Sequence, residues 1–459
     1  MSKIIAASTK AIKKLNTPQL FQSGLYITWG ASLLMLSSTI SGVQEQRHAI
    51  NTVGKDATPS ITTAQRLKDA LAGMDANVAS ELLLPSGQNQ AAVKGYEERY
   101  GKVAERLVAA AENITYGDKE RKPIATMQLE LGNYIAKIQR SRDFHERGDT
   151  NNMLVAYREA AEIMDQKLLP AADALDNVNL QVLNSTYSQE KFASGRSLFL
   201  IVISGLTLIG VLIGLQIFLS QRTRRTFNPM LLAATALAIA FLNYTTGALL
   251  SASQNLRIAT EDAFSSMHAL RQARASAYIA NANQSRYLLD PAFALNHEQA
   301  FFNNINKIAQ PPEGETLESL AALAANGKKV NGFTGFLAEE LKNITNASEK
   351  EALVQNLTTL DAYVAIDQQI RQLERSGKHA EAIALSVGKK PGESNWAFDE
   401  FRLKANQKSF DINQAAFDQA IKQAFTDVNG FEYTTPLALS AIALLTLFGI
   451  LPRLKEYSS

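Results

Sequence analysis

The sequence predicts an all-α membrane protein in which four transmembrane helices carry two tandem extracytoplasmic four-helix bundles. Three observations lead there: four uncharged apolar blocks in a chain of 459 residues that is 20% charged, a heptad seam written twice at a fixed offset, and a near absence of strand-type alternation. The organisation they imply is a basic N-terminus (1–20), span one (21–43), bundle one (44–195), span two (196–219), a basic loop (220–229), span three (230–250), bundle two (251–432), span four (433–452) and a short tail (453–459).

The blocks are Phe21 to Val43, Leu198 to Leu219, Met230 to Leu250 and Pro436 to Leu451. Each reaches or approaches the roughly 20 residues that cross a bilayer as helix, the last only with flanking Tyr433 and Thr434. Block one also admits a second reading, as the apolar region of a signal peptide. It is long for that role, lacks a clear A-x-A site and runs straight into a helical pattern, which favours an uncleaved anchor. Lys3, Lys10, Lys13 and Lys14 precede block one, Arg222, Arg224 and Arg225 fill the loop between blocks two and three, and Arg453 and Lys455 follow block four. By the positive-inside rule both termini are expected in the cytoplasm, with the two large segments on the far side of the membrane.

"IANANQSRYLLDP", Ile279 to Pro291, aligns without a gap with "GMDANVASELLLP", Gly73 to Pro85, at an offset of 206 (262 minus 56). The positions Ile50, Val53, Ala57, Ser60, Ala64, Leu67, Leu71, Met74 and Val78 step by three and four along one helix face. At the same offset stand Leu256, Ala259, Ala263, Ser266, Leu270, Ala273, Ala277, Ala280 and Gln284. A second echo pairs Tyr134 to Asp149 with Tyr363 to Lys378, each holding a glycine between two helical runs, as a helix C-terminus requires. An internal duplication is the expectation, each copy a four-helix bundle on its own pair of spans. Pro59 interrupts the first outward helix or begins a new one after Thr58; the second copy has Ser265 there and is expected to stay continuous.

Composition narrows the function. With no cysteine, neither disulfides, thiolate metal sites nor a cysteine nucleophile are available. The five histidines show no i, i+4 ligand pair, nucleophile elbows and phosphate loops are absent, and the net charge of +2 gives no footprint for nucleic acid. No enzyme, cofactor or metal is expected. The four apolar blocks hold no charged residue, which argues against a transporter or channel, and Gly210 and Gly214 form a GxxxG match suited to close helix approach.

The polar residues matched across the copies, Asp56 with Asp262, Asn77 with Asn283 and Arg142 with Arg371, are the candidates for holding a small solute or a partner's loop. They read equally as solvated flanks of the seam and, for the arginines, as charges placed at a helix C-terminus ahead of Gly148 and Gly377. Arg222, Arg224 and Arg225 are candidates for docking a cytoplasmic partner or anionic lipid, or serve topology alone.

The architecture resembles the four-helix bundle sensor of methyl-accepting chemotaxis receptors, in tandem. With its four spans, its DA-x-x-S stretches at Asp56 and Asp262 and its "ANANQSRYLLDP" stretch, the chain also resembles the bacterial membrane protein that works beside a periplasmic glutamine/glutamate-binding protein and a cytosolic serine/threonine kinase. The resemblance implies a relay: a state received from a solute-binding protein outside is passed to a soluble kinase inside, with homo-oligomers possible. The reading from a different class is a non-catalytic scaffold or accessory subunit of an envelope complex.

Overall fold

The computed structural model describes residues 17–115, 117–223, 227–328 and 330–456, and nearly all of its regular structure is helical. The helices are α1 (Thr17–Asn51), α2 (Thr58–Glu81), α3 (Gln90–Glu112), α4 (Asp118–Glu146), α5 (Thr150–Ile163), α6 (Leu169–Thr223), α7 (Pro229–Arg257) and α8 (Ser265–Leu289). They continue as α9 (Ala294–Ile308), α10 (Leu317–Ala325), α11 (Phe336–Lys342), α12 (Ala347–Arg375), α13 (His379–Val387), α14 (Ser394–Asp399), α15 (Asn406–Asp427) and α16 (Phe431–Glu456). Among the described residues the only strand-like pairing is one bridge between Gln310 and Thr334.

Local chemistry sets the helix ends. The Asn89, Asp149 and Asn346 side chains accept from backbone N–H groups of α3, α5 and α12, and Thr316 with Ser319 forms a reciprocal box at α10. Gly148 and Gly377 sit at φ +72° and +77° and close the same motif: the residue after each glycine donates back to Phe144 O and Leu373 O, at 2.9 and 3.0 Å. Gly377→Ala is therefore expected to cost about 1 kcal/mol, since an L side chain disfavours that conformation. A denaturant titration that leaves the midpoint unchanged would show the turn to be adaptable.

The chain divides into two compact units. The first comprises the described parts of Met1–Thr52, Ser185–Arg257 and Ala420–Ser459. Its core joins Phe21, Leu25 and Met35 of α1 to Leu208, Leu212 and Leu215 of α6, Leu231, Ala238 and Phe241 of α7, and Leu439, Ile442 and Ile450 of α16. Its outer surface is apolar as well, with Phe199, Ile203, Ile213, Ile239, Leu437 and Phe448 exposed, the pattern of helices solvated by lipid.

Three helical runs, Thr150–Gln221, Pro229–Leu289 and Ser394–Leu454, are long and apolar enough to cross a membrane. Each extends more than about 90 Å at 1.5 Å per residue, three times a hydrocarbon core, so only its apolar block belongs there. Helix α1 is not among these three. Ser23, Thr28, Ser32 and Ser37 lower its hydropathy, but each hydroxyl is bonded to a carbonyl of the preceding turn. Close helix approach in this unit runs through glycines other than the GxxxG pair: a Cβ on Gly24 would meet Leu215 Cδ1 at 2.4 Å and one on Gly205 would meet Leu242 Cδ1 at 2.6 Å, whereas Gly210 and Gly214 have nothing within 4 Å. The expectation for that motif is corrected accordingly.

The second unit holds Val53–Asn184 and Ile258–Gln419. The sequence pattern assigns each half its own bundle; in the structure the two halves form one compact unit, with α2 packed on α8. The reason lies in those two helices, which are buried on nearly every face, not only along the seam. Small residues on both allow this, and polar groups that a one-sided helix would turn to water instead cross the contact: Gln65 Nε2 donates to His268 O (3.3 Å) and Lys68 Nζ to Gln272 Oε1 (2.7 Å).

Several contacts occur once in each half. Asn113 reaches Ser60 and Asn343 reaches Ser266; the Thr115 and Thr345 amides donate to Glu120 and Glu349; Tyr134 meets Asp75 and Tyr363 meets Asn281, both at 3.3 Å. Both outward helices also widen into a π-turn at matched places, Thr52–Ala57 and Ile258–Phe264. The second copy's outward helix runs on without a break through Ser265, as expected, and the first also runs on through Pro59; the same π-turn precedes both positions, so proline did not create it.

Candidate functional site

In the second unit a cavity of about 690 Å³ opens between helices from both halves. Helix α2 contributes Arg66, Asp69 and Asn77; α3 contributes Lys94, Arg99, Lys102 and Arg106; α8 contributes Arg271, Arg274 and Tyr278; and the stretch around α14 contributes Lys389, Asp399 and Arg402. Nine basic side chains face three carboxylates, those of Asp69, Glu98 and Asp399.

The neutralisation is uneven. Arg99 Nη1 reaches Asp69 Oδ2 at 3.0 Å, and Arg402 Nη2 reaches Asp399 Oδ1 at 2.6 Å. The buried Tyr278 hydroxyl accepts from both arginines, from Arg402 Nη1 at 2.7 Å, so one oxygen fixes two guanidinium groups at the wall. Arg274 is held by Gln407 at 2.6 Å, but its Nε lies 3.6 Å from Asp69 Oδ1, too far for a hydrogen bond, and both atoms are buried without one.

Arg271 is the extreme case. Its residue is 8% exposed, its guanidinium lies 3.9 Å from the Phe410 ring centroid, and its Nε is buried with no hydrogen-bond partner. Burial, then the charge of Arg274, pushes its pKa down to about 10; Arg106 is lowered by burial and by Arg66 and Arg99. Each of these groups would gain from an anion placed among them.

Of the six residues matched across the copies, only Asn77 lines this cavity, its amide bonded back to Gly73 O at 2.7 Å. Asn283 makes the same bond to Ile279 O and faces His297 Nδ1. Arg142 is locked in a fork on Glu81 and lies over Tyr96; Arg371 is locked on Asp367 and lies over Tyr287 and Phe301. Asp262 belongs to the π-turn ahead of α8. The Asp56 and Arg222 side chains, all of Arg224 and Arg225, and the basic residues of 1–16 lie outside the described residues. Among the described residues no group of three or more His, Asp and Glu side chains is arranged to hold a metal ion.

The cavity residues other than Asn77 escaped the sequence reading because they are unmatched: Arg271, Arg274 and Tyr278 correspond to Gln65, Lys68 and Ala72. A usable signal existed in "MHALRQARASAY", Met267 to Tyr278, where two arginines three apart sit on an alanine-rich helix with no carboxylate to balance them.

Residues 49–188 match the family described as actinobacterial sensor domain, a stretch that includes all of the first half of this unit. No curated protein and no solved structure matches the chain. The match supports a bacterial sensor protein, and with three membrane-capable helical runs it describes a membrane protein with a sensing role.

Proposed function

We propose that the chain is a non-catalytic, four-span relay of the bacterial inner membrane, with both termini cytoplasmic. Its second unit, outside the membrane, receives a small solute, directly or from a solute-binding protein, and passes the change to a cytoplasmic partner such as a kinase. The observation that carries this is the cation-rich cavity lined by both halves, because a ligand there bears on α2, α3 and α8 at once. The helical run Pro229–Leu289 contains both an apolar block and, further along the chain, Arg271, Arg274 and Tyr278. The satisfied hydroxyls of α1 and its packing with α6, α7 and α16 support counting it as the fourth span.

The test is disulfide cross-linking between cysteines placed in α1 and α7 of the full chain in nanodiscs, with and without a panel of solutes. A solute-dependent change in cross-linking is expected. Affinity purification then compares the native loop with one reversed to glutamate at 222, 224 and 225. Loss of a co-purifying kinase on reversal supports the relay. Cross-linking indifferent to every solute, with a large membrane complex recovered equally by both proteins, would make the chain a scaffold.

A further inference from the structure

Resting on the reading of the second unit as a solute receptor, we propose that its cavity binds a small oxyanion bearing at least two negative charges, with Arg271 and Arg274 as the residues that hold it. The argument starts from what the site leaves unmade. Nine cations meet three carboxylates, of which Asp69 is spent on Arg99 and Asp399 on Arg402, with Asp69 only loosely approaching Arg274. Two buried guanidinium Nε atoms, on Arg271 and Arg274, end in the cavity wall with no hydrogen bond. Leaving such donors unsatisfied is costly, and oxyanions match the guanidinium fork.

Size and shape narrow the class further. At about 690 Å³ the cavity exceeds what one carboxylate or chloride fills, and a single charge would leave most of the excess unbalanced. With residues only 8% and 7% exposed, Arg271 and Arg274 are reached by a small molecule rather than by the broad acidic surface of a protein. A nucleobase has no platform here. Arg99 lies over the Tyr278 ring at 4.5 Å and Arg402 at 5.4 Å, so the aromatic wall is already covered by cations. The anion itself is therefore the recognised feature, and the chemistry shared by di- and tricarboxylates and by short phosphates fits it.

Isothermal titration of the full chain in nanodiscs, at fixed ionic strength, with citrate, succinate, pyrophosphate, acetate and glutamine separates the cases. The polyvalent anions are expected to bind at least about ten-fold more tightly than acetate or glutamine, and Arg271→Gln to weaken them about ten-fold or more. Arg140→Gln, on the surface of α4 away from the cavity, is expected to bind as the native protein does. Citrate above pyrophosphate assigns a carboxylate ligand and the reverse order a phosphate. Glutamine or acetate bound as tightly as citrate overturns the ligand class while the receptor reading stands. Affinity unchanged in Arg271→Gln overturns the site. Binding of a purified solute-binding protein with no free solute bound overturns the inference and moves the reading to protein docking; no binding of any kind, with cross-linking unaltered, overturns both.

Discussion

Arg286→Met is expected to destabilise the second unit by about 3–5 kcal/mol, the range for stranding a buried charge. Arg286 is 2% exposed; its Nη2 donates to Asp75 Oδ2 at 2.6 Å, its Nη1 to Asp165 Oδ2 at 2.7 Å and its Nε to the Tyr157 hydroxyl at 3.0 Å. Asp165 is partly solvated and tolerates the loss, whereas Asp75 is 3% exposed and does not. Burial pushes the Asp75 carboxyl up to about 6 even with Arg286 pulling it down, so without the arginine it rises further.

The sign of the pH dependence follows. A carboxyl raised in the fold favours the folded state at low pH and loses that contribution as pH climbs through its folded pKa, a loss larger in the variant. The gap in melting temperature between native and Arg286→Met should therefore narrow from pH 8 to pH 5. Adding Asp75→Asn should recover much of the stability, because Asn281 already fills the corresponding place opposite Tyr363. A loss below about 1 kcal/mol, or a gap that widens on acidification, would show that Asp75 reaches water.

That cluster also shows how far the sequence could be read. Period and punctuation were legible: the seam residues from Ala64 to Val78 and from Leu256 to Gln284 are buried, and Gly148 and Gly377 end their helices in the left-handed conformation expected of them. What was not legible is that α2 and α8 bury their remaining faces too. A heptad reports one apolar stripe, and their second contact is built from residues that look like surface: Gln65, Lys68, Gln272 and Arg286. Matching the halves likewise directed attention to residues that do the same structural job twice, such as Asn77 and Asn283. The ion-pair cluster and the cavity sit where the halves differ, with Arg286 against Ser80 and Arg271 against Gln65.

In the ligand-free protein, Arg271→Gln is expected to raise stability by about 1–2 kcal/mol, and with it the melting temperature by several degrees. An arginine whose pKa burial pushes down to about 10, well below its ordinary value, carries about 3 kcal/mol against its charged form at neutral pH. That penalty is present in full below about pH 10 and is relieved only as pH rises from there toward the ordinary arginine value, so it acts across the physiological range. Losing the Phe410 contact and the packed stem takes back about 1 kcal/mol or more. Few substitutions of a buried side chain stabilise a protein, and a residue that costs stability while its buried Nε makes no hydrogen bond is kept for something it binds. Differential scanning fluorimetry of the full chain supplies the check, because saturating citrate or pyrophosphate should lift the native melting temperature and leave the variant in place. A lower melting temperature for ligand-free Arg271→Gln would instead make Arg271 a structural prop, and the excess charge of the cavity would then have to be answered by residues other than Arg271.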